Sequence, residues 1–243
     1  MITKNGFFKI KDVVGVFVGV FLLMIGVEFL MSKIPFFTQM IEDDLSGLGF
    51  IMLYLIQTMI FLIPLLLLMV FRKAFSLKDL GFKKIKFRQI LKYAALGYLY
   101  YFIIVLVIAQ ISFSYNIEIP GFRQQESHIP LIGESGLGAA IVVLIITLLG
   151  PIFEEIFFRG FLFKTMLGRW PTWIAFIVSA LIFAAIHLEF QSIIPIFLLG
   201  LIMNWMFFRT KSLYPGIFFH IINNAIALGL EYFIYLNPAL QLG

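Results

Sequence analysis

The chain contains no cysteine, which excludes disulfides, thiolate nucleophiles and cysteine-ligated metals. It is also poor in charge. Asp, Glu, Lys and Arg make up 13% of its 243 residues, about half the share of a soluble domain. A glycine-rich phosphate loop, an HExxH helix and a GxSxG turn are missing, so three common catalytic signatures are excluded. No internal repeat or low-complexity tract is present. What is there is 62% hydrophobic. That is too apolar for a water-soluble globule, and it is arranged in runs that approach or exceed the roughly 18–20 residues needed to cross a bilayer.

These runs predict an all-α fold, a polytopic transmembrane helix bundle forming a single membrane domain over 1–243. About seven spans are expected, near 13–31, 48–71, 90–112, 137–158, 171–188, 193–208 and 213–236. The segments 171–188 and 193–208 are short enough to be tilted or partly re-entrant. Lysines precede the first span as in a signal peptide. That span runs nineteen residues with no small-x-small cleavage pattern after it, so it is read as a retained anchor.

Charge sets the expected orientation. Alternate loops place Lys4, Lys9, Lys11, Arg72, Lys73, Lys78, Lys83, Lys84, Lys86, Arg88, Lys92, Arg159, Lys164, Arg169, Arg209 and Lys211 on one side. The other side has only Lys33 and Arg123, with the acidic cluster Glu42, Asp43, Asp44. The positive-inside rule makes the first side cytoplasmic, with the N-terminus in and the C-terminus out. The net charge of +5 therefore reflects topology and implies no nucleic-acid partner. The segment 72–92 is read as a basic stretch facing lipid headgroups. A compact chain without extra domains suggests a prokaryotic plasma membrane.

Ionisable residues at membrane depth are costly, so each is a functional candidate. Glu154, Glu155 and Arg159 lie in the fourth span, His187 ends the fifth, and His220, Asn223 and Asn224 lie in the seventh. Glu154 is sixteen residues before Trp170 and His187 is seventeen after it. In an antiparallel hairpin turning there, equal distances from the turn mean equal depth. His220 lies about 12 Å into its own helix from the next turn, which allows all three groups one layer in the cytoplasmic half of the bilayer. Glu155 and Arg159, spaced i, i+4, suit an ion pair within the helix, which leaves Glu154 as the second carboxylate. His220 and Asn224 share a helical face. His128 is read as a surface residue, and Asn204 as interhelical glue or outer support for the site. Glu28 and Glu231 are expected to snorkel outward.

EEIFFR (Glu154, Glu155, Arg159), FAAIH (Phe183, His187) and HIINN (His220, Asn224) resemble the motifs EExxxR, FxxxH and HxxxN. These belong to the CPBP family of intramembrane proteases, the CAAX-protease and bacteriocin-processing family, also called Abi. The resemblance covers about 137–236, which would form a four-helix catalytic core. It implies an intramembrane endopeptidase acting on a membrane-embedded or lipidated peptide, such as a prenylated CAAX protein or a peptide precursor. Glu154, helped by His187, would activate water. His220 and Asn224 would hold the oxyanion, and Glu155, Arg159 and Phe183 would support them.

A cofactor is not required by this reading. The alternative is zinc on Glu154, His187 and His220, with an open position for water. Two other functions remain alternatives: a non-proteolytic membrane scaffold or immunity protein of the same family, and a proton-coupled transporter using the Glu/His layer.

Overall fold

The structure, a computed structural model, describes residues 8–37, 48–71, 77–123, 125 and 136–237. Lys4, Glu42, Asp43, Asp44, Arg72, Lys73 and His128 lie outside them. The described residues form helices and no strand. In order these are α1 (Ile10–Met31), α2 (Leu48–Phe71), a 3-10 turn (Leu77–Leu80) and α3 (Phe87–Tyr115). Next comes a helical stretch over 136–167, made of α4 (Gly136–Leu144), a π-helical segment (Ile145–Leu149), α5 (Gly150–Glu155), a second π-helical segment (Ile156–Phe163) and α6 (Lys164–Leu167). Last come α7 (Thr172–Ile186), a 3-10 turn (Phe190–Ser192), α8 (Ile193–Thr210) and α9 (Tyr214–Leu236).

Among the described residues, six helices are long and apolar enough to cross a membrane, and the chain is a multi-pass membrane protein. The expected fifth span, α7, has 15 residues. At about 1.5 Å per residue that is roughly 22 Å, short of a hydrocarbon core of about 30 Å. Apolar side chains such as Val18, Phe21, Leu22 and Phe29 on α1, and Phe102, Leu106 and Val107 on α3, are exposed. That suits a lipid surface and would be a liability in water.

The chain divides into two compact units. One contains the Leu77–Leu80 turn, α3 and Phe158–His220; the other contains α1, α2, the stretch from Gly136 to Phe157, and α9 from Ile221 onward.

In the first unit, helices approach closely where side chains are small, as in membrane helix packing generally. A Cβ on Gly200 of α8 would stand 3.1 Å from the Cβ of Ala180 on α7. Gly97 of α3 packs in the same way on Ile202 and Met206 of α8. Asn204, fully buried on α8, donates from Nδ2 to the Phe176 carbonyl on α7 at 3.1 Å. It acts as the interhelical glue expected of it. The turn before α3 is pinned to the start of α9 by Ser212 Oγ donating to the Lys83 carbonyl at 2.7 Å. The Leu213 N–H donates to the Gly81 carbonyl at 2.9 Å. Gly81 has φ +97°, and a Cβ there would meet the Phe207 ring at 2.6 Å, so both conformation and space demand glycine.

In the second unit, α1 buries Val13, Val16 and Val20 on one face. Gly19 lets α1 approach Pro64 of α2. The rings of Phe17 and Phe61 meet Phe157 edge to face, with centroids 5.6 and 5.3 Å away. Pro64 lies inside α2, where a membrane helix tolerates it because neighbouring groups re-satisfy the freed carbonyl. Glu231 is buried and does not snorkel outward as expected.

Candidate active site

Phe183 organises the first unit's share of the motif residues. Its ring lies edge-on to the His187 ring at 4.7 Å and to the His220 ring at 6.0 Å. The Arg159 guanidinium stands 4.2 Å over the same ring, a cation–π contact that desolvation strengthens. Arg159 also donates through Nη2 to the Gly200 carbonyl at 3.3 Å. The fold thus brings together Arg159, Phe183, His187 and His220 from three stretches of chain. Gly200, a partner of Arg159, was not visible in the motifs.

The FxxxH spacing has a local explanation. At the end of α7 the His187 N–H turns to the Ala184 carbonyl at 3.3 Å, which tightens the last turn to 3-10 geometry. The His187 ring Nδ1 then lies 2.7 Å from the Phe183 carbonyl oxygen. As donor in that bond, Nδ1 carries the proton, and Nε2 presents its lone pair. The next residue, Leu188, has φ +58°, so the chain leaves the helix immediately after the histidine.

The second unit holds Glu154, Glu155 and Asn224. Glu155 is almost fully buried, as is Arg159 of the first unit, each 1% exposed. Glu154, at the end of α5, is half-buried. Asn224 donates from Nδ2 to the Ile146 carbonyl at 3.0 Å. Ile146 lies in the first π-helical segment, whose offset hydrogen-bond ladder makes carbonyls available to side chains; such segments recur at functional sites. The second π-helical segment begins directly after Glu155 and contains Arg159. The sequence predicted ordinary α geometry there.

Tyr54 of α2 is a residue the sequence reading missed. A Cβ on Gly150 would stand 2.8 Å from its hydroxyl oxygen, and the phenol interacts electrostatically with Glu154. The available signal was a tyrosine four residues before Thr58, on one helix face of a largely apolar span.

Among the described residues, no group of three or more His, Asp or Glu side chains is disposed to hold a metal ion.

Comparison with known proteins gives matches that each cover part of the chain. Residues 136–226 match the family described as type II CAAX prenyl endopeptidase Rce1-like. A Bacillus subtilis (strain 168) protein named "Putative membrane peptidase YdiL" is 24% identical over 91 residues, which cover 37% of each chain. An Escherichia coli protein named "Uncharacterized 24.3 kDa protein" is 30% identical over 95 residues, 37% of this chain and 43% of that one. The matched part is thus less than half the length of these relatives. No solved structure matches the chain. The matched segment contains all three motifs, and over it the resemblance to the CAAX-type membrane endopeptidases is borne out.

Proposed function

We propose that the protein is an intramembrane endopeptidase that hydrolyses a peptide bond of a membrane-embedded or lipidated substrate. Residues 137–236 are its catalytic core. The observation that carries the reading is the arrangement of His187 and His220 around the buried Phe183 ring, inside the segment that matches the endopeptidase family.

In this reading Glu154 takes a proton from a water while His187, through Nε2, accepts the water's second hydrogen bond. The water oxygen bonds to the peptide carbonyl carbon, and the carbonyl oxygen becomes an oxyanion. His220 and Asn224 donate to it, the role of side-chain donors in other acyl-transfer sites. An amide NH2 has two donors; the bond to Ile146 orients Asn224 and leaves its second N–H for the oxyanion. Glu154 then returns the proton to the leaving nitrogen as the C–N bond breaks, which gives an amine and a carboxylic acid. Glu155, Arg159 and Phe183 support the reacting groups. The reaction side is cytoplasmic, by the charge asymmetry of the loops, in a prokaryotic plasma membrane.

The test needs no guessed substrate. New peptide termini are compared in membranes from cells carrying the wild type, Glu154→Ala, or no copy. Termini found only with the wild type support the proposal and identify the substrate. Identical termini in all three, with folded protein present, overturn it in favour of a scaffold or transporter.

A further inference from the structure

We propose that the Tyr54 hydroxyl is a hydrogen-bonding partner of the Glu154 carboxyl group, received in the notch that Gly150 leaves on the same helix face, and that Tyr54 is a positioning residue for this carboxylate. The functional half of the inference rests on Glu154 being the water-activating base. The contact itself does not.

Gly150 and Glu154 are the first and fifth residues of α5. Residues four apart lie one above the other on one helix face, and a helical side chain leans back over the turn N-terminal to its own Cα. The Glu154 side chain therefore covers the surface of Gly150. The Tyr54 oxygen is at that surface, 2.8 Å from where a Cβ on Gly150 would stand. Any side chain at Gly150 would displace the phenol, so glycine is the residue that admits it. Two further interactions fix the phenol. Thr58, one turn further along α2 and buried, hydrogen-bonds to it, and Glu154 acts on it electrostatically. The Phe50 ring lies 6.1 Å from the Tyr54 ring. All these groups belong to one compact unit.

A phenol beside a carboxylate in a water-poor site gives a charge-assisted hydrogen bond, about twice as strong as a neutral one. It holds one carboxylate oxygen and leaves the other to the water. Tyr54 lies outside the segment matched by the family, so nothing in that match assigns it a role.

The contact is read by infrared spectroscopy of the full chain in lipid. The wild-type minus Glu154→Gln difference identifies the Glu154 carboxyl band. Tyr54→Phe keeps the ring and removes only the oxygen, and is expected to shift that band; Thr58→Val is expected to shift it less. Tyr98→Phe is the control, because Tyr98 donates to the Phe219 carbonyl in the other unit, and it is expected to leave the band in place. A Tyr54→Phe band that superimposes on the wild type overturns the contact, whether or not the protein cleaves peptides. A shifted band supports it on the same terms. The positioning role is read separately, from the rate at which new termini form. Tyr54→Phe should lower that rate about tenfold to a hundredfold, as loss of one hydrogen bond to a charged group does, with substrate affinity unchanged. A shifted band with an unchanged rate overturns the role and leaves the contact standing.

Discussion

The Nδ1 atom of His187 lies 2.7 Å from the carbonyl oxygen of Phe183, the residue whose ring also touches His187 and His220. Backbone and ring of one residue thus set both the tautomer and the tilt of the histidine. Removing the ring while keeping the carbonyl separates these contributions. Phe183→Leu should keep Nδ1 protonated and cost about 1–3 kcal/mol of stability through lost packing. Cleavage should fall because both imidazoles lose their wall. Thermal unfolding in detergent and the rate of terminus formation check the two halves. A variant with wild-type rate and lowered stability would show that the ring is structural only.

Asn224 offers a finer test of the oxyanion reading. Asn224→Ala should lower cleavage about 10²- to 10³-fold, as loss of one oxyanion donor does. Asn224→Asp is worse in a specific way. It replaces the Nδ2 donor with an acceptor that faces the Ile146 carbonyl, 3.0 Å away in the wild type. Two acceptors in contact repel, so the aspartate variant should lose stability that the alanine variant keeps. Melting temperatures of both variants decide it; equal values would mean that the Ile146 bond does not orient the amide.

The spans were legible because their apolar runs are long. The expected 48–71 coincides with α2, and 193–208 and 213–236 differ from α8 and α9 by two residues or fewer. Two helical stretches run past the expected ends of their spans. The helical stretch expected to end at 158 continues to Leu167, because Arg159 is buried on the Phe183 ring and does not mark the membrane edge. Likewise α3 starts at Phe87, three residues before the expected 90, with Arg88 and Lys92 in its first turns. The motif residues were visible as polar groups in apolar surroundings. The π-helical segments were not, since a shift of the hydrogen-bond ladder is set by packing and leaves no pattern of residue types. Tyr54 was missed because its partner is on a distant span and a lone tyrosine in a membrane helix is unremarkable.

Asn204 gives the opposite kind of expectation from the motif residues. Its Nδ2 donates to a carbonyl of α7 and its Oδ1 is buried without a hydrogen-bond partner. Asn204→Leu removes an interhelical bond that averages about 0.6 kcal/mol in a membrane protein, together with an unsatisfied acceptor that is itself costly. The two losses offset. Stability should stay within about 1 kcal/mol of the wild type, and cleavage should persist. An inactive but stable Asn204→Leu protein would move Asn204 from glue to the reacting groups.

Gly97 and Gly200 both admit a neighbouring helix, yet alanine should cost different amounts at the two. At Gly97 a new Cβ would stand 2.1 Å from the Met206 terminal methyl and 3.1 Å from Ile202 Cγ2. The first clash is with the free end of an unbranched side chain, which can rotate away. At Gly200 the Cβ would stand 3.1 Å from the Ala180 Cβ and 3.2 Å from its Cα. These atoms cannot move unless α7 moves. Gly200 also supplies the carbonyl that accepts from Arg159, so a shift of α8 against α7 disturbs the cation on the Phe183 ring. Gly200→Ala should therefore cost about 1–3 kcal/mol as an overpacked site and reduce cleavage. Gly97→Ala should cost less and leave the rate near that of the wild type. Paired unfolding and rate measurements compare them directly. The reverse order of stabilities would mean that the α7–α8 contact yields more easily than a methionine side chain, against the rigidity expected of two backbones in contact.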